Sequence, residues 1–149
     1  MSKGDILVAG VVVVFVALLG YVFFFADSAP SGVADLGYAP VDVPGAQMLE
    51  AYAASNEAMN VVVDIPVESW VTVHAAIGSA PGPIIGQSGY MESGGRMTSM
   101  RIEPLMVTGV TYIVLVHKDD GDGSFDINKD LPIMADGTVL RADVVAPQW

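Results

Sequence analysis

Carboxylates crowd one short stretch of the sequence, residues 119–130, which reads DDGDGSFDINKD. Oxygen ligands at alternating positions can wrap a hard cation such as Ca²⁺. Carboxylates this close together also repel one another unless something neutralises them. The spacing therefore makes Asp120, Asp122 and Asp126 a candidate calcium site, and Ca²⁺ the one cofactor that the sequence suggests.

The spacing is not that of an EF-hand. A register with Gly123 at position 6 puts Lys118 at position 1, and a register that starts at Asp120 puts Phe125 at position 6. The alternative is a solvated hairpin loop in which Asp and Gly supply the turn geometry. In that loop Phe125 would fold back as a hydrophobic plug.

The two histidines, His74 and His117, end strands that we expect to be neighbours, so they could approach in space. Two histidines alone are a weak signal for copper or zinc, and a blue-copper site would also need a cysteine, of which the chain has none. The sequence favours ordinary strand-end histidines that hydrogen-bond to the backbone.

No recognisable catalytic motif accompanies these residues. The sequence has no G-x-S-x-G elbow, no P-loop and no dinucleotide-binding fingerprint. The eight methionines are more typical of core filling than of metal binding. We therefore expect a protein that is not an enzyme.

Short β-prone runs separated by turn signals make up the part of the chain that carries the acidic loop and the two histidines. The predicted strands are 60–65, 70–75, 83–88, 97–102, 110–117 and 139–145. Short strands at this spacing indicate an antiparallel sandwich rather than βαβ units. Strand 110–117 is almost wholly apolar and should be central, and Val71 and Val73 should point inward, opposite Trp70, Thr72 and His74.

Four stretches carry a resemblance to a known family: PVESWVTVHAA, PIIGQSGYMESGG, MRIEPLMVTGVTYIVLVHKDDGDGSFD and DLPIMADGTVLRADVVA. Together, over roughly residues 61–146, they resemble a β-domain family without an assigned activity. The family occurs on membrane-anchored or secreted surface proteins of halophilic archaea and other prokaryotes. The resemblance implies a β-domain and a surface location, and it implies no catalytic residues.

The segment Ile6–Phe25 is apolar and uncharged over twenty residues, long enough for one transmembrane helix. Lys3 precedes it, and no Lys or Arg follows until Arg96, so the positive-inside bias puts the N-terminus in the cytoplasm. The rest of the chain would then be periplasmic or extracellular, on the plasma membrane. A cleaved signal peptide is the rival interpretation, but its apolar region is normally shorter, about 7–15 residues.

Small residues recur on one face of this predicted helix, at Gly10, Val13, Ala17 and Gly20. Such a stripe lets two helix backbones approach closely in lipid. It predicts contact with other transmembrane subunits through this face, although glycine is also simply common in membrane helices.

Three regions follow from these patterns. Residues 1–26 are the cytoplasmic tip and transmembrane helix, and residues 27–58 are an extended linker with a short helix at 46–56, where helix formers cluster. Residues 59–149 are the extracytoplasmic domain. The predicted fold class is all-β, an immunoglobulin-like antiparallel β-sandwich on a single N-terminal transmembrane helix.

The formal net charge is −11, from seventeen Asp and Glu against six Lys and Arg. Such a surface repels nucleic acid, which excludes DNA and RNA as partners. The sequence thus predicts a non-catalytic accessory subunit of a larger membrane complex, with a respiratory or photosynthetic assembly as a host by analogy. The alternative is an independent cell-surface module that binds Ca²⁺ or an envelope partner.

Overall fold

The computed structural model describes residues 39–149, and these form β-strands joined by turns and loops. Ten strands follow one another along the chain: β1 (Val41–Asp42), β2 (Gln47–Ser55), β3 (Ala58–Ile65), β4 (Ser69–Ile77), β5 (Ala80–Gln87), β6 (Gly94–Arg101), β7 (Thr111–Lys118), β8 (Ile133–Ala135), β9 (Thr138–Val139) and β10 (Arg141–Val145).

Two antiparallel sheets make up most of the domain. One has four strands in the order β10-β7-β4-β5, and the other has three in the order β2-β3-β6. A small third sheet, β1-β8-β9, contains the parallel pair β1–β8. Strand β7 lies in the interior of the four-stranded sheet, so its apolar sequence is explained by neighbours on both sides. The prediction of an all-β, sandwich-like domain is confirmed.

The core lies between the two main sheets. Alternate residues of β3, beginning with Met59 and Val61, meet alternate residues of β4 and β7, among them Val73 and Val114. Val71 and Val73 point into this core as predicted, and both are fully buried. Trp70, Thr72 and His74 consequently lie on the other face of the four-stranded sheet.

That second face is also buried. Ile113 and Leu115 of β7 are opposite His74 and Thr72 of β4 in the register, and all four are at most 2% exposed. His117 pairs with Trp70 in the next row along the same face. The polar side chains that could do chemistry thus sit on a sheet face without access to water.

The short helix predicted at 46–56 is wrong, because residues 47–55 form strand β2 and pair with β3. The linker therefore ends earlier than expected, and β2 belongs to the β-domain. Two register shifts in β2, between Met48 and Glu50 and between Ala53 and Ser55, break the alternation that would have marked a strand. Pairing along the whole of β3 overrides the helix propensity of its alanines.

The predicted transmembrane helix, its stripe of Gly10, Val13, Ala17 and Gly20, and the first part of the linker lie outside the described residues. Within residues 39–149, no helix is long and apolar enough to cross a bilayer.

Candidate functional site

The acidic loop connects β7 to β8 and begins at Asp119, directly after the last residue of β7. Asp119 is only 5% exposed, and Asp130 near the other end of the loop is fully buried. Buried carboxylates need hydrogen-bond donors, because a charge without them is costly to remove from water. The structure supplies donors to both.

Asp119 accepts three hydrogen bonds. Trp70 Nε1 donates to Oδ1 at 2.9 Å, and the backbone N–H groups of Gly121 and Gly123 donate to Oδ2 at 2.8 and 3.3 Å. Burial by itself raises the pKa of the Asp119 carboxyl, but the three donors outweigh burial and hold the pKa below its ordinary value. Asp119 therefore stays ionised and ties the loop to β4.

Asp130 closes the loop from the other side. Its Oδ1 accepts the backbone N–H of Asp120 at 2.9 Å, and its Oδ2 accepts the backbone N–H of Asp126 at 2.7 Å. One carboxylate thus bridges two points of the loop that are six residues apart in sequence. These bonds account for Asp119 and Asp130 as structural groups that fix the backbone of the loop.

The three predicted calcium ligands do not lie together in the structure. The carboxylate oxygens that lie within 4.8 Å of one another are those of Asp119, Asp120 and Asp130. Of the predicted three, Asp120 belongs to this group, whereas Asp122 and Asp126 face the Lys129 ammonium at 3.6 and 4.0 Å.

Local turns use the remaining loop carboxylates. Asp120 Oδ1 accepts the N–H of Asp122, and Asp122 Oδ1 accepts the N–H of Ser124. Asp126 Oδ1 accepts both the backbone and the side-chain N–H of Asn128, and these bonds lower the pKa of the Asp126 carboxyl. Side chains that bond two residues ahead are typical of Asx turns. The three predicted calcium ligands thus each take part in an Asx turn.

Phe125 folds back over the second face of the four-stranded sheet, as the plugged-loop alternative predicted. Its ring lies 5.9 Å from the Trp70 ring and 5.5 Å, edge-on, from the imidazole of His117, measured between centroids. Tyr90 packs edge-on against Trp70 at 5.7 Å. Aromatic pairs at such distances stabilise beyond the area they bury.

His74 and His117 do approach in space, with ring centroids 6.4 Å apart. His74 Nδ1 lies 2.7 Å from the carbonyl oxygen of Gly82, and His117 Nδ1 lies 2.9 Å from that of Asp130. Both Nε2 atoms point to one hydroxyl, Thr72 Oγ1, at 2.8 and 3.1 Å. The backbone-bonded histidines favoured by the sequence are present, but Thr72 as their common partner was missed.

Burial dominates the electrostatics of the two imidazoles. It lowers the pKa of His117 to about 4, with a further lowering by the neighbouring His74 and an opposing effect of the Asp130 carbonyl. The pKa of His74 is also lowered by burial, against the raising effect of the Gly82 carbonyl. Both rings are therefore neutral at pH 7.

Access limits what these groups can do chemically. A hydroxyl between two imidazoles resembles an activated nucleophile, yet Thr72 is 0% exposed and His74 only 2%. On β5, Gly82 lies close against β4: a Cβ there would lie 2.6 Å from the carbonyl oxygen of Ala75, and its own carbonyl oxygen contacts His74 Nδ1. No substrate can reach the hydroxyl in this conformation.

The sequence of residues 47–145 matches the family described as "Domain of unknown function (DUF7282)". The chain belongs to the DUF7282 family. This span includes β2 and ends with β10, so it agrees with the β-domain in the structure. No curated protein and no solved structure matches the chain.

One surface of the DUF7282 domain exposes apolar side chains on two adjoining segments, 105–110 and 145–149, which we call the apolar patch. The exposed members are Leu105, Val107, Val110, Val145 and Trp149. Three hydrogen bonds join the segments: Gly109 N–H to Ala146 O, Ala146 N–H to Val110 O, and Thr108 Oγ1 to Pro147 O. Exposed apolar groups gathered in this way mark sites of protein or membrane contact.

A cleft of about 400 Å³ lies elsewhere on the DUF7282 domain, between the segment 89–92 and β6. Tyr90, Met97 and the ion pair of Glu92 with Arg96 line it. Burial, and then the nearby carboxylates of Glu68, Asp119 and Glu92, raise the pKa of the Tyr90 hydroxyl. The cleft is open and of mixed polarity, unlike the enclosed apolar pockets that bind small molecules.

Proposed function

We propose that the protein is a non-catalytic accessory subunit of a larger membrane complex. Its immunoglobulin-like β-sandwich caps the outer face of that complex, and residues 6–25 anchor it in the plasma membrane with the N-terminus in the cytoplasm. The observation that carries the proposal is the apolar patch, where Val107 and Val145 are 60% and 58% exposed. A solvated surface module has no need of such a patch, whereas a docked subunit buries it.

The state of the polar groups supports a role without catalysis. The buried histidines bond to backbone carbonyls and to Thr72, and the buried carboxylates bond to backbone N–H groups and to Trp70. Each of these contacts fixes the fold of the domain. The polar groups on the second sheet face therefore act by fixing the acidic loop to the sheet.

The charge distribution fits a protein partner better than a lipid surface for the same patch. A net charge of −11 is repelled by anionic headgroups. The anchor supplies membrane attachment on its own, and Gly10, Ala17 and Gly20 offer a close-packing face to a neighbouring helix. The apolar patch is then available to contact the part of a partner subunit that lies outside the bilayer.

Mild-detergent extraction followed by native mass spectrometry tests the proposal. The full chain should leave the membrane with other subunits. The double variant Val107→Asp/Val145→Asp should lose at least about tenfold of that co-purification, because charges cannot be buried in an apolar contact without a partner. Met97→Asp is the matched control, since Met97 is 69% exposed on β6 in the other sheet.

A chain that is recovered alone in all three forms would contradict the subunit role. That outcome would favour the alternative, an independent surface module that binds an envelope partner or Ca²⁺. Equal loss in the Met97→Asp control would show that added charge, and not the patch, weakens the assembly.

A further inference from the structure

We propose that Thr72, His74 and His117 form a buried site that binds one proton and shares it between the two imidazoles. The inference comes from counting hydrogen-bond donors and acceptors around one hydroxyl. It is independent of the proposed function, because it concerns only groups inside the DUF7282 domain.

The carbonyl contacts fix the tautomers. The oxygens of Gly82 and Asp130 can only accept, so the Nδ1 atom that faces each of them carries a hydrogen. A neutral imidazole has one N–H, and both Nε2 atoms are therefore unprotonated acceptors when the rings are neutral. Both point to the hydroxyl of Thr72.

A threonine hydroxyl has one hydrogen to donate. It can satisfy the Nε2 of His74 at 2.8 Å or that of His117 at 3.1 Å, but not both at once. The neutral cluster is thus short by one hydrogen. The other Nε2 atom is left with a lone pair that faces the hydroxyl oxygen without a hydrogen between them. His74 and His117 are at most 2% exposed, so water does not readily supply the missing donor.

One added proton completes the network. A protonated imidazole donates from Nε2 to Thr72 Oγ1, and the hydroxyl hydrogen goes to the Nε2 of the other ring. Reversal of both bonds moves the charge to the other ring without displacing a heavy atom. A second proton would put two cations at a ring separation of 6.4 Å inside the fold, which charge repulsion opposes.

The charged groups of the described residues around the site come from few elements. Strand β5 has no titratable side chain, and β4 has His74 alone. The loop after β7 contributes Asp119 and Asp130, whose carboxylates are held by N–H donors. On the same face, β10 contributes Arg141 and Asp143, in register with Leu115 and Ile113 and paired with each other at 2.6 Å.

Lys118, Glu68 and Tyr90 complete the surroundings. Lys118 is the last residue of β7 and is exposed, Glu68 directly precedes β4, and Tyr90 packs edge-on against Trp70. Two carboxylates in the adjoining loop and an Arg–Asp pair on β10 leave the surroundings of the site net negative. A net negative charge nearby favours uptake of a proton, and so acts against the lowering of the imidazole pKa by burial.

The site is coupled to the acidic loop through His117. The Nδ1–H of His117 holds the carbonyl of Asp130, and the side chain of Asp130 holds the backbone of the loop at two points. Phe125 lies edge-on against the same imidazole. The proton site is therefore in direct contact with the residues that fix the loop.

Nitrogen-15 NMR of the full chain in mild detergent tests the proposal directly. The chain has two histidines, so histidine labelling gives four ring nitrogen signals. At pH 8 both rings should be the Nδ1–H tautomer. On acidification, both Nε2 signals should move together over one step that corresponds to uptake of a single proton, and a second step should follow only at lower pH.

Variants at position 72 distinguish a proton that the two histidines share from independent titration of each histidine. In Thr72→Val the first proton should bind about tenfold more weakly, a fall of roughly one pKa unit, because its hydrogen-bonded bridge is gone. Thr72→Ser should restore the wild-type curve, since it keeps the hydroxyl. Thr98→Val, on β6 in the other sheet, is the matched control and should titrate like the wild type.

Three results would overturn the proposal. The first is an Nε2–H tautomer for either ring at pH 8. The second is an independent one-site curve for each histidine in the wild type. The third is an unchanged titration in folded Thr72→Val; if that variant does not fold, the wild-type tautomers and the joint shift of the two rings decide the question alone.

Discussion

Trp70 holds the acidic loop to the sheet by one hydrogen bond, from its Nε1 to Asp119 Oδ1. We expect Trp70→Phe to keep the aromatic contacts with Phe125 but leave that carboxylate oxygen without its donor. The free energy of unfolding should fall by about 1–3 kcal/mol, and the pKa of Asp119 should rise. Denaturant unfolding of the full chain in mild detergent measures the first effect.

Tyr90→Phe is the control for that substitution. It removes a hydroxyl from a ring that is 45% exposed and that packs on the same indole. It should change the unfolding free energy by no more than about 0.5 kcal/mol. If both substitutions cost the same, the bond from Trp70 to Asp119 contributes no more than the exposed hydroxyl does.

His117 gives stability a pH dependence with a definite sign. Its pKa is about 4 in the folded protein and 6.5 in an unfolded chain, so the unfolded state binds more protons between these values. Stability should be full above pH 6.5 and fall as the pH drops towards 4, by about 3 kcal/mol. The lowered pKa values of Asp119 and Asp126 act in a lower window, below 3.8.

His117→Asn checks this dependence, because an asparagine amide can still donate to the Asp130 carbonyl but does not titrate. Unfolding free energies measured from pH 4 to pH 7.5 should vary less in the variant than in the wild type. Equal slopes over this range would show that other groups cause the acid sensitivity.

Among the strands, β5 is the one that needs a glycine for close packing. A Cβ at Gly86 would lie 2.5 Å from Ile102 Cδ1 and 3.0 Å from the carbonyl oxygen of Arg101. We expect Gly86→Ala to destabilise the domain by about 1–3 kcal/mol through overpacking. Gly89→Ala is the control, since nothing lies within 4 Å of its Cβ position, and thermal melting of both variants tests the difference.

Strand positions were predictable where alternation or an apolar run was intact. Strands β3, β4 and β7 lie within two residues of their predicted bounds. The Asp136-Gly137 turn signal is a two-residue hairpin between β8 and β9, and both residues have positive φ, at 51° and 76°. Strand β2 was missed, because its bulges hide the period of two and its alanines favour helix.

The candidate site was predictable in part for a related reason. The sequence identified the acidic loop, the plug of Phe125 and the histidines as strand neighbours, each from a local pattern. It did not identify Trp70 and Thr72 as partners, since their contacts with Asp119 and His117 span 49 and 45 residues. Such pairs follow from the strand register, which sequence spacing alone does not determine.

For the molecule as a whole, the excess of negative charge predicts a response to salt. Screening of the net charge of −11 should raise the melting temperature of the full chain as Na⁺ increases. Because Asp119 and Asp130 already bond to backbone N–H groups, we expect Ca²⁺ at matched ionic strength to add nothing further. Melting curves in Ca²⁺, Mg²⁺, Na⁺ and chelator provide the comparison.

A calcium-specific rise in melting temperature would contradict this expectation. Ligand linkage would make such a rise grow with concentration, to roughly 2.7 kcal/mol at a hundredfold excess over the dissociation constant. Its loss in Asp120→Asn, with the Na⁺ response unchanged, would then assign the ion to the carboxylates that the loop brings within 4.8 Å.

The predicted transmembrane segment carries a prediction of its own. Gly10→Leu or Gly20→Leu should weaken association with partner helices by about 1–2 kcal/mol, because a larger side chain keeps the backbones apart. Unchanged co-purification of both variants would mean that the small residues serve no contact. An N-terminus beginning near Ala29 in membrane fractions would instead indicate cleavage of the segment.

Strand β10 is the last strand in chain order. It pairs with β7, an interior strand of the four-stranded sheet, and brings Val144 into the core. During synthesis the four-stranded sheet therefore cannot be completed until residue 145 has emerged. Until then one edge of β7, a strand with six of its eight residues buried in the finished fold, has no neighbour. The nascent domain should therefore expose an unpaired strand edge, open to wrong pairing with other chains, until β10 has been made.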